Sequence, residues 1–306
     1  MKTKPVEISI IIVSYNTRDY IGDAIQSAIE SCEKKLSFEV IVVENHSSDD
    51  SFSYLAKTFP EIKIIQTDRT IGFGEANNLA AQVANGRYLF FLNPDTLTHG
   101  DAVPQLHAFL ESHPGLGIVA PRLLNADGSI QTHGGALPTL LNLFLWGYGV
   151  SSLFKNTSIP LYQSKNKKAF LKTHSTGWVG GTALLISTDD FHAVGGWDKN
   201  IFLYGEDLEL CWNIQARLQK SVFVLGSSEI THLQNKSTGS SMRSRIGELE
   251  NMVYVLKKHR PGWPTLLVKA FLLDVALLRA LGFAILRRDV KSTLVYLKAF
   301  QAIFLA

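Results

Sequence analysis

The feature that most limits what this chain can fold into is Ile8–Val13, a run that is apolar and β-branched at every position but Ser9. A run of this kind marks a strand buried on both faces of a parallel sheet. It stops abruptly at the polar turn Ser14-Tyr15-Asn16-Thr17, and a helix follows with Ile21, Ile25, Ala28, Ile29 and Cys32 on one stripe. The pattern then recurs. Glu39–Val43 is a second strand, closed by Glu44-Asn45-His46-Ser47-Ser48-Asp49, a turn that also supplies helix caps. Ile62–Ile65 is a third strand and Glu75–Ala84 a helix. Arg87–Leu92 is a fourth strand, ending at Asn93-Pro94-Asp95. This alternation predicts an α/β fold, a doubly wound sheet with right-handed crossovers. Ligands of such sheets bind beyond the carboxyl ends of the strands, where all three polar turns fall.

Residues 130–175 read as an irregular excursion that covers the site, with an apolar patch at Leu140–Trp146 and a basic, polar stretch at Lys155–Lys172. Thr182–Ser187 returns as a strand. Residues 207–218 form a helix bearing Leu208, Cys211, Trp212 and Leu218, Ser221–Leu225 is another strand, and Arg245–His259 another helix. Charge divides the chain. From residue 257 to 306 there are nine Lys/Arg against two acids, so that segment carries +7 while residues 1–256 carry −4 of the formal +3. A body, 1–256, and a basic, apolar helical tail, 257–306, are therefore expected. Such a tail suits an anionic membrane surface. Its basic residues alternate with Leu, Phe and Ala instead of forming a polar arm, which argues against nucleic acid. Leu266–Leu286 is about long enough to span a bilayer. It contains Lys269, Asp274 and Arg279, however, and central charges cost roughly 2.5–3.5 kcal/mol each on insertion. An interfacial helix or helix pair is the better expectation, and packing on the body or on a second copy of the chain is the alternative. The two cysteines, Cys32 and Cys211, form no CxxC pair, and Met1–Pro5 leads straight into the first strand. A cytoplasmic location, peripheral on the inner face of the membrane, follows as an expectation.

Two acidic sites carry the chemistry, more than a hundred residues apart. Asn93-Pro94-Asp95 follows a buried strand. A hard divalent cation takes oxygen ligands, so one carboxylate plus the oxygens of a diphosphate would hold Mg²⁺ or Mn²⁺; the same tripeptide is also an ordinary turn. Glu206-Asp207 opens a helix, where acids also suit the helix dipole. The Gly- and aromatic-rich loop Gly195–Tyr204 before it would set flat rings beside a general base. His232, after the strand 221–225, could complete a metal's coordination as a neutral imidazole, or be structural. Gly72-Phe73-Gly74-Glu75-Ala76-Asn77-Asn78 is half a nucleotide loop. It follows the third strand rather than the first, and the first βα turn has no glycine pair, which argues against a dinucleotide-binding dehydrogenase.

Taken together, SIIIVSYN, VIVVENHSSD, GFGEANNLA, FLNPDT, GWVGGTALLIS and GGWDKNIFLYGEDLELCW occur in the order and approximate spacing of inverting family 2 glycosyltransferases of the GT-A fold. Over roughly residues 6–240 the chain resembles rhamnosyltransferases that use dTDP-rhamnose in O-antigen and cell-wall glycan assembly. The resemblance implies a nucleotide-sugar donor held at Ser14, Tyr15, Asn16, Glu44, Gly72 and Asn78. It implies Asp95 as metal ligand with Asn93 close by, and His232 as a further metal or diphosphate contact. Asp207 would be the general base with Glu206 assisting. Gly180 and Gly181 would admit the donor sugar, and Trp178 would stack on the acceptor, a polyprenyl-diphosphate-linked saccharide. Departures from the pattern are Glu44 and Glu209 where Asp is usual, Asn213 where Arg is usual, and a single Asp in the Asn93-Pro94-Asp95 turn. A UDP-hexose or UDP-N-acetylhexosamine donor, a homo-oligomer, and a catalytically inactive nucleotide-sugar-binding protein are the alternatives the same residues leave open.

Overall fold

A computed structural model describes residues 5–154, 159–233 and 241–305; Lys155, which opens the expected basic stretch, lies outside them. The first half alternates strand and helix: β1 (Ile8–Ser14), α1 (Ile21–Cys32), β2 (Phe38–Glu44), α2 (Ser51–Thr58), β3 (Lys63–Gln66), α3 (Phe73–Val83) and β4 (Tyr88–Leu92). The short β5 (Thr96–Thr98), α4 (Ala102–Glu111), β6 (Leu116–Leu124) and β7 (Ile130–Gln131) come next. The excursion holds α5 (Leu140–Gly147) and ends in β8 (His174–Thr176). β9 (Ala183–Ser187), α6 (Thr188–Val194), α7 (Glu206–Leu218) and β10 (Ser221–His232) complete the sheet, and α8 (Ser241–His259), α9 (Trp263–Gly282) and α10 (Val290–Leu305) close the chain.

The sheet runs β3-β2-β1-β4-β9-β6-β10-β5, with β7 beside β6 and β8 beside β10. β3, β2, β1 and β4 are parallel, and β9 enters antiparallel between β4 and β6. The expected doubly wound α/β sheet is present, mixed at its centre. Period-two alternation divides the core. Ile10, Ile12, Val42 and Phe90 pack with Ile21, Ile25, Leu55 and Leu106 on one side. Ile11, Val13, Ile41 and Phe91 pack with Ala76, Ala80 and Trp197 on the other. Ser9, the one polar residue of the first run, is fully buried, and its Oγ bridges Glu39 Oε1 (2.7 Å) and Gly86 N (2.9 Å).

Two expectations need correction. The strand at 221–225 continues to His232: an irregularity between Leu225 and Glu229 resets its register, and Ile230, Thr231 and His232 then pair with Thr98, Leu97 and Thr96 of β5. The excursion is not irregular throughout. Thr139 caps α5 with a reciprocal pair, Asn142 N to Thr139 Oγ1 (3.2 Å) and Thr139 N to Asn142 Oδ1 (2.8 Å). α8 runs unbroken to His259, so the body and the tail are joined through one helix. The closing helices share the body's core, since Leu249, Val253, Leu272, Ala276, Ala299 and Ile303 belong to the cluster that includes Trp197 and Leu210. Among the described residues no helix is long and apolar enough to cross a membrane.

Candidate active site

The carboxyl ends of β1, β2 and β4 lie on one edge because those strands are parallel and in register, Ser14 beside Glu44 and Ile12 beside Leu92. At this edge the turns are knitted to one another. Asn16, in a left-handed conformation (φ 54°), donates its N–H to Ser47 Oγ (3.0 Å) and accepts the Ser48 N–H at its Oδ1 (2.8 Å). Ser14 Oγ meets Thr17 Oγ1 at 2.9 Å, and Tyr15 between them is exposed. Glu44 is buried, its Oε1 accepting the Ser47 N–H at 2.8 Å. Asn45 ties this edge to the next loop: its amide donates to Ile71 O and accepts from Ile71 N, both at 2.9 Å. Sequence reasoning passed over Asn45; the only signal was its place inside a polar turn.

Gly72 sits where Ile71 hands on to α3, and a Cβ there would lie 3.0 Å from Phe202 O. Phe73 N donates to that same carbonyl at 3.0 Å, so the Gly72 turn is closed against the loop before α7. Asn78 has a structural contact that its sequence position did not suggest. Its amide nitrogen donates to Trp197 O (2.8 Å) and its oxygen accepts Trp197 N–H (3.0 Å), across 119 residues. One donor and one acceptor position of the amide are thus engaged by backbone, and Asn78 fastens the Gly195-Gly196-Trp197 turn. Both glycines there have positive φ, 91° and 71°, which a β-carbon would strain.

Asp95 and His232 are brought together by the β5–β10 pairing. His232 Nε2 lies 3.3 Å from Asp95 Oδ1, and the Leu233 N–H donates to Asp95 O at 2.9 Å. His232 Nδ1 stands 3.1 Å from Gln131 Oε1, a partner that sequence reasoning did not find. An amide oxygen only accepts, so Nδ1 carries a proton. In the tautomer with the proton on Nδ1, the Nε2 lone pair and the Asp95 oxygen face each other as two donors that one cation could share. This donor set fits a hard-to-intermediate divalent ion such as Mg²⁺ or Mn²⁺. Among the described residues no three His, Cys, Asp or Glu side chains cluster as a metal site, so further ligands would come from diphosphate and water.

Asp207 lies at the first turn of α7, behind Gly205 (φ 102°) and Tyr204 (φ 69°), whose left-handed backbones turn the chain into the helix. Its Oδ1 accepts the Leu208 N–H (2.8 Å) and its Oδ2 the Gly181 N–H (3.2 Å). The next residue, Thr182, accepts the Asn93 N–H at 2.8 Å. Gly181 and Thr182 thus join the Asp207 site to the Asn93–Asp95 turn. The junction carries no side chains at Gly180 and Gly181: a Cβ on Gly181 would lie 3.4 Å from the Phe73 ring and one on Gly180 3.8 Å from Asp207 Oδ2, both in ordinary contact, so the glycines leave open the space beside Asp207. Burial raises the Asp207 carboxyl above the usual range, against the pull of the Leu208 and Gly181 N–H groups. Glu206 is more strongly affected. Burial, then the neighbouring Asp207 charge, push it up to about 8, so at neutral pH Glu206 keeps its proton.

Two residues outside the sequence-based site complete this side. Glu248, on α8, accepts Gln163 Nε2 at 2.6 Å and is pushed up to about 7 by burial and then by Asp207. His133 sits beside Gly180; its Nε2 meets Pro121 O at 3.0 Å, its Nδ1 is buried without a partner among the described residues, and burial lowers it to about 4. Trp178 is buried. Its ring stacks on Tyr162 at 5.3 Å and its N–H donates to Tyr162 O at 2.9 Å, so it forms a wall and not an open platform. Glu209 and Asn213, the departures on α7, point elsewhere: Glu209 Oε1 takes Lys258 Nζ (2.5 Å) and Asn213 Nδ2 (2.7 Å), fastening α8. A groove of about 750 Å³ lined by Lys165, His174, Gln215 and Val222 lies at the other end of α7, and none of these acids lines it.

The sequence profile of glycosyl transferase family 2 matches residues 9–172, more than half of the chain. The protein belongs to glycosyltransferase family 2. Among its relatives is the N-acetylglucosaminyl-diphospho-decaprenol L-rhamnosyltransferase of Mycobacterium tuberculosis, 23% identical over 270 residues, covering 84% of this chain and 86% of that one. The rhamnosyltransferase WbbL of Escherichia coli is 24% identical over 211 residues, covering 67% and 75%. Among solved structures, S. aureus TarS 1–349 superposes with a TM-score of 0.57 at 13% identity, over 97% of this chain and 80% of that one. GalNAc-T7 with UDP, GalNAc and Mn²⁺ superposes with a TM-score of 0.59 at 16% identity, over 83% and 48%. The glycosyltransferase therefore has the GT-A fold, and it is similar to rhamnosyltransferases.

Proposed function

We propose that this glycosyltransferase moves L-rhamnose from dTDP-rhamnose, with inversion, onto a hydroxyl of a polyprenyl-diphosphate-linked saccharide at the inner face of the cell membrane. The observation that carries the reading is the junction at Gly181-Thr182, which holds Asp207 on one side and the Asn93–Asp95 turn on the other. A base for the incoming hydroxyl and a carboxylate for the departing diphosphate are thereby set around one small-residue gap. The names of the M. tuberculosis and E. coli relatives support rhamnose, and the former supports a lipid diphosphate acceptor.

In the proposed reaction the acceptor oxygen attacks the anomeric carbon as the bond from that carbon to the phosphate oxygen breaks. The acceptor proton passes to Asp207, and the nucleoside diphosphate leaves on the opposite face, so configuration inverts once. Asp207 acts as the base because its carboxylate stands at the Gly180-Gly181 gap, held by the Gly181 N–H, and burial raises its affinity for a proton. Gly180 and Gly181 leave space for the sugar ring. Ser14, Tyr15, Asn16 and Glu44 form the turns against which the nucleoside would lie, and Gly72 holds that wall to the Phe202 loop. Asp95 and His232 would hold a Mg²⁺ or Mn²⁺ ion, which when bound offsets the charge of the leaving diphosphate. The tail would bring the enzyme to the membrane surface.

The test is a donor panel with purified protein and a lipid-linked acceptor ending in N-acetylglucosamine. dTDP-rhamnose, UDP-glucose and UDP-N-acetylglucosamine are compared, with and without Mn²⁺. Transfer from dTDP-rhamnose alone, with inverted linkage by NMR, is expected. Transfer from a UDP-sugar instead would replace the donor, and binding without transfer from any donor would leave a nucleotide-sugar-binding protein.

A further inference from the structure

On α5, Leu141, Phe144 and Tyr148 lie at helical spacing and are exposed (66%, 49% and 39%), while Leu143 and Gly147 are buried. The exposed rings meet α9. Phe144 stacks on Phe271 (5.7 Å, interplanar 25°), and Tyr148 is edge-on to the same ring and donates its hydroxyl to Asp274 Oδ2 at 2.5 Å. Phe271 and Asp274 share a stripe of α9 with Leu267 and Leu278, each about half exposed (51% and 50%). The open faces of α5 and α9 are therefore continuous. The apolar surface runs on through Ile285 and Leu286 (69% and 84% exposed) to Val290 and Leu294 of α10. Soluble monomers rarely leave so much contiguous apolar surface to water.

The charges at this surface select its partner. Arg287, Arg288, Lys291 and Lys298 are exposed around its α9–α10 end. Asp289, the one acid among them, is engaged by Ser292 N (3.0 Å) and Ser292 Oγ (2.6 Å). A twofold contact between two copies would set these cations against themselves, whereas an anionic bilayer attracts every one of them. We infer that α5 and the α9–α10 arm make one composite face that seats on an anionic lipid surface, so that the excursion covering the active site enters the membrane interface together with the C-terminal helices. The face is joined to the site. Arg279 of α9 donates to Gly147 O at 2.6 Å, Trp146 of α5 is edge-on to Tyr162 at 5.2 Å, and Tyr162 stacks on Trp178. The inference deepens the reading of a lipid-linked acceptor, and it does not depend on which sugar is transferred.

The experiment is sedimentation of the full chain with vesicles of phosphatidylcholine alone and of phosphatidylcholine with phosphatidylglycerol, without donor or acceptor. The protein is expected to bind the anionic vesicles, and reversing both arginines (Arg287→Glu with Arg288→Glu) is expected to weaken this by tenfold or more. Leu141→Glu with Phe144→Glu on α5, and Leu278→Glu on α9, are expected to weaken it comparably. Phe52→Glu, an exposed position on α2, is expected to leave binding unchanged. Should the α5 variant fail to fold, a spin label decides. Cys32 and Cys211 are both buried, so a nitroxide attaches selectively at Leu141→Cys or at Leu286→Cys. Both labels are expected to lose access to a water-soluble relaxer on anionic vesicles. Protection at 286 with full exposure at 141 overturns the composite face, and so does an absence of binding to either vesicle. A dimer that Leu141→Glu with Phe144→Glu dissociates overturns it in favour of self-association. Failure of rhamnosyl transfer leaves each of these readouts untouched, so the two readings fail separately.

Discussion

At the start of α7, Asp207 takes backbone N–H groups from Leu208 and Gly181 and stands beside the glycine gap. Two residues on, about 200° further round the helix, Glu209 is fully buried and held by Lys258 and Asn213, with His259 at 3.7 Å. The side chains differ by one methylene, and the uses differ entirely. Asp207 is fixed by neutral dipoles, which orient a carboxylate without supplying a compensating cation, and burial raises it. Glu209 has a cation in contact, and its Oε1 is taken up by Lys258 and Asn213 in fastening α7 to α8. What separates the proposed base from the clamp is the kind of partner, not the type of residue or its place in the motif.

The sharpest break of this contrast is a pair of isosteric changes. Asp207→Asn is nearly isosteric, keeps an acceptor for one of the two backbone N–H groups and removes the basic carboxylate; turnover should fall by about 10²–10⁴, with donor affinity by calorimetry unchanged. Glu209→Gln should leave the turnover of folded protein within a few-fold and lower the melting temperature. If the two phenotypes were exchanged, the assignment of base and clamp would be reversed. Next in size is pH. Glu206 and Glu248 have folded values raised to about 8 and about 7, from ordinary values near 4.5. The folded protein therefore holds protons that the unfolded chain has released. The stability these two groups contribute is complete below pH ~4.5 and is lost as pH rises through 7 to 8, on the order of 5 kcal/mol for Glu206. Melting temperature should fall from pH 5 to pH 8.5, and Glu206→Gln should flatten that slope. An equal slope in the variant would show that Glu206 is not the group held protonated.

The clamp itself gives a smaller effect. Lys258→Met removes a cation from buried Glu209 and from Asp198 Oδ2 (2.9 Å). Breaking such a pair typically costs 3–5 kcal/mol when both partners are buried, and Lys258 is 41% exposed, so about 2 kcal/mol is expected by chemical denaturation. A loss of turnover with no loss of stability would mean that Lys258 serves the reaction and not the α7–α8 contact.

Much of this was written in local pattern. The strands β1, β2 and β4 and the polar turns at their ends follow from apolar runs and their abrupt stops, because parallel strands place like ends on one edge. The motif around Glu206-Asp207 was readable for the same reason, as a helix start after a Gly-rich loop. What stayed hidden depends on register and docking. His232 reaches Asp95 only because an irregularity in β10 lets the strand continue and pair with β5, and no single-strand pattern encodes that. Glu248 is presented by α8, whose position is set by Lys258, by Asn251 at the Tyr204 carbonyl (2.7 Å) and by Gln163 in the excursion. Asn78 looked like a ligand contact because an Asn near a Gly-x-Gly sequence is ambiguous; its partner, the Trp197 backbone, is 119 residues away.

Asp95 extends the contrast to a third acid, and Gln131 offers the gentlest probe of it. Asp95 faces an imidazole whose far nitrogen is held by Gln131 Oε1 at 3.1 Å. That bond keeps the proton on Nδ1 and the Nε2 lone pair toward Asp95. Gln131→Leu frees the ring to take the other tautomer, or to turn, without touching Asp95 itself. Loss of such a supporting contact typically weakens metal affinity by about 10–100-fold. The Mn²⁺ concentration for half-maximal turnover should therefore rise by that factor, while turnover at saturating Mn²⁺ stays within a few-fold. Manganese titration of the free protein by electron paramagnetic resonance should show the same shift without any substrate. The same change at Asp207 should leave Mn²⁺ affinity alone. Were Gln131→Leu silent in both titrations, His232 and Asp95 would be a structural ion pair, placing Asp95 with Glu209 among the clamps rather than with the acids that serve the reaction.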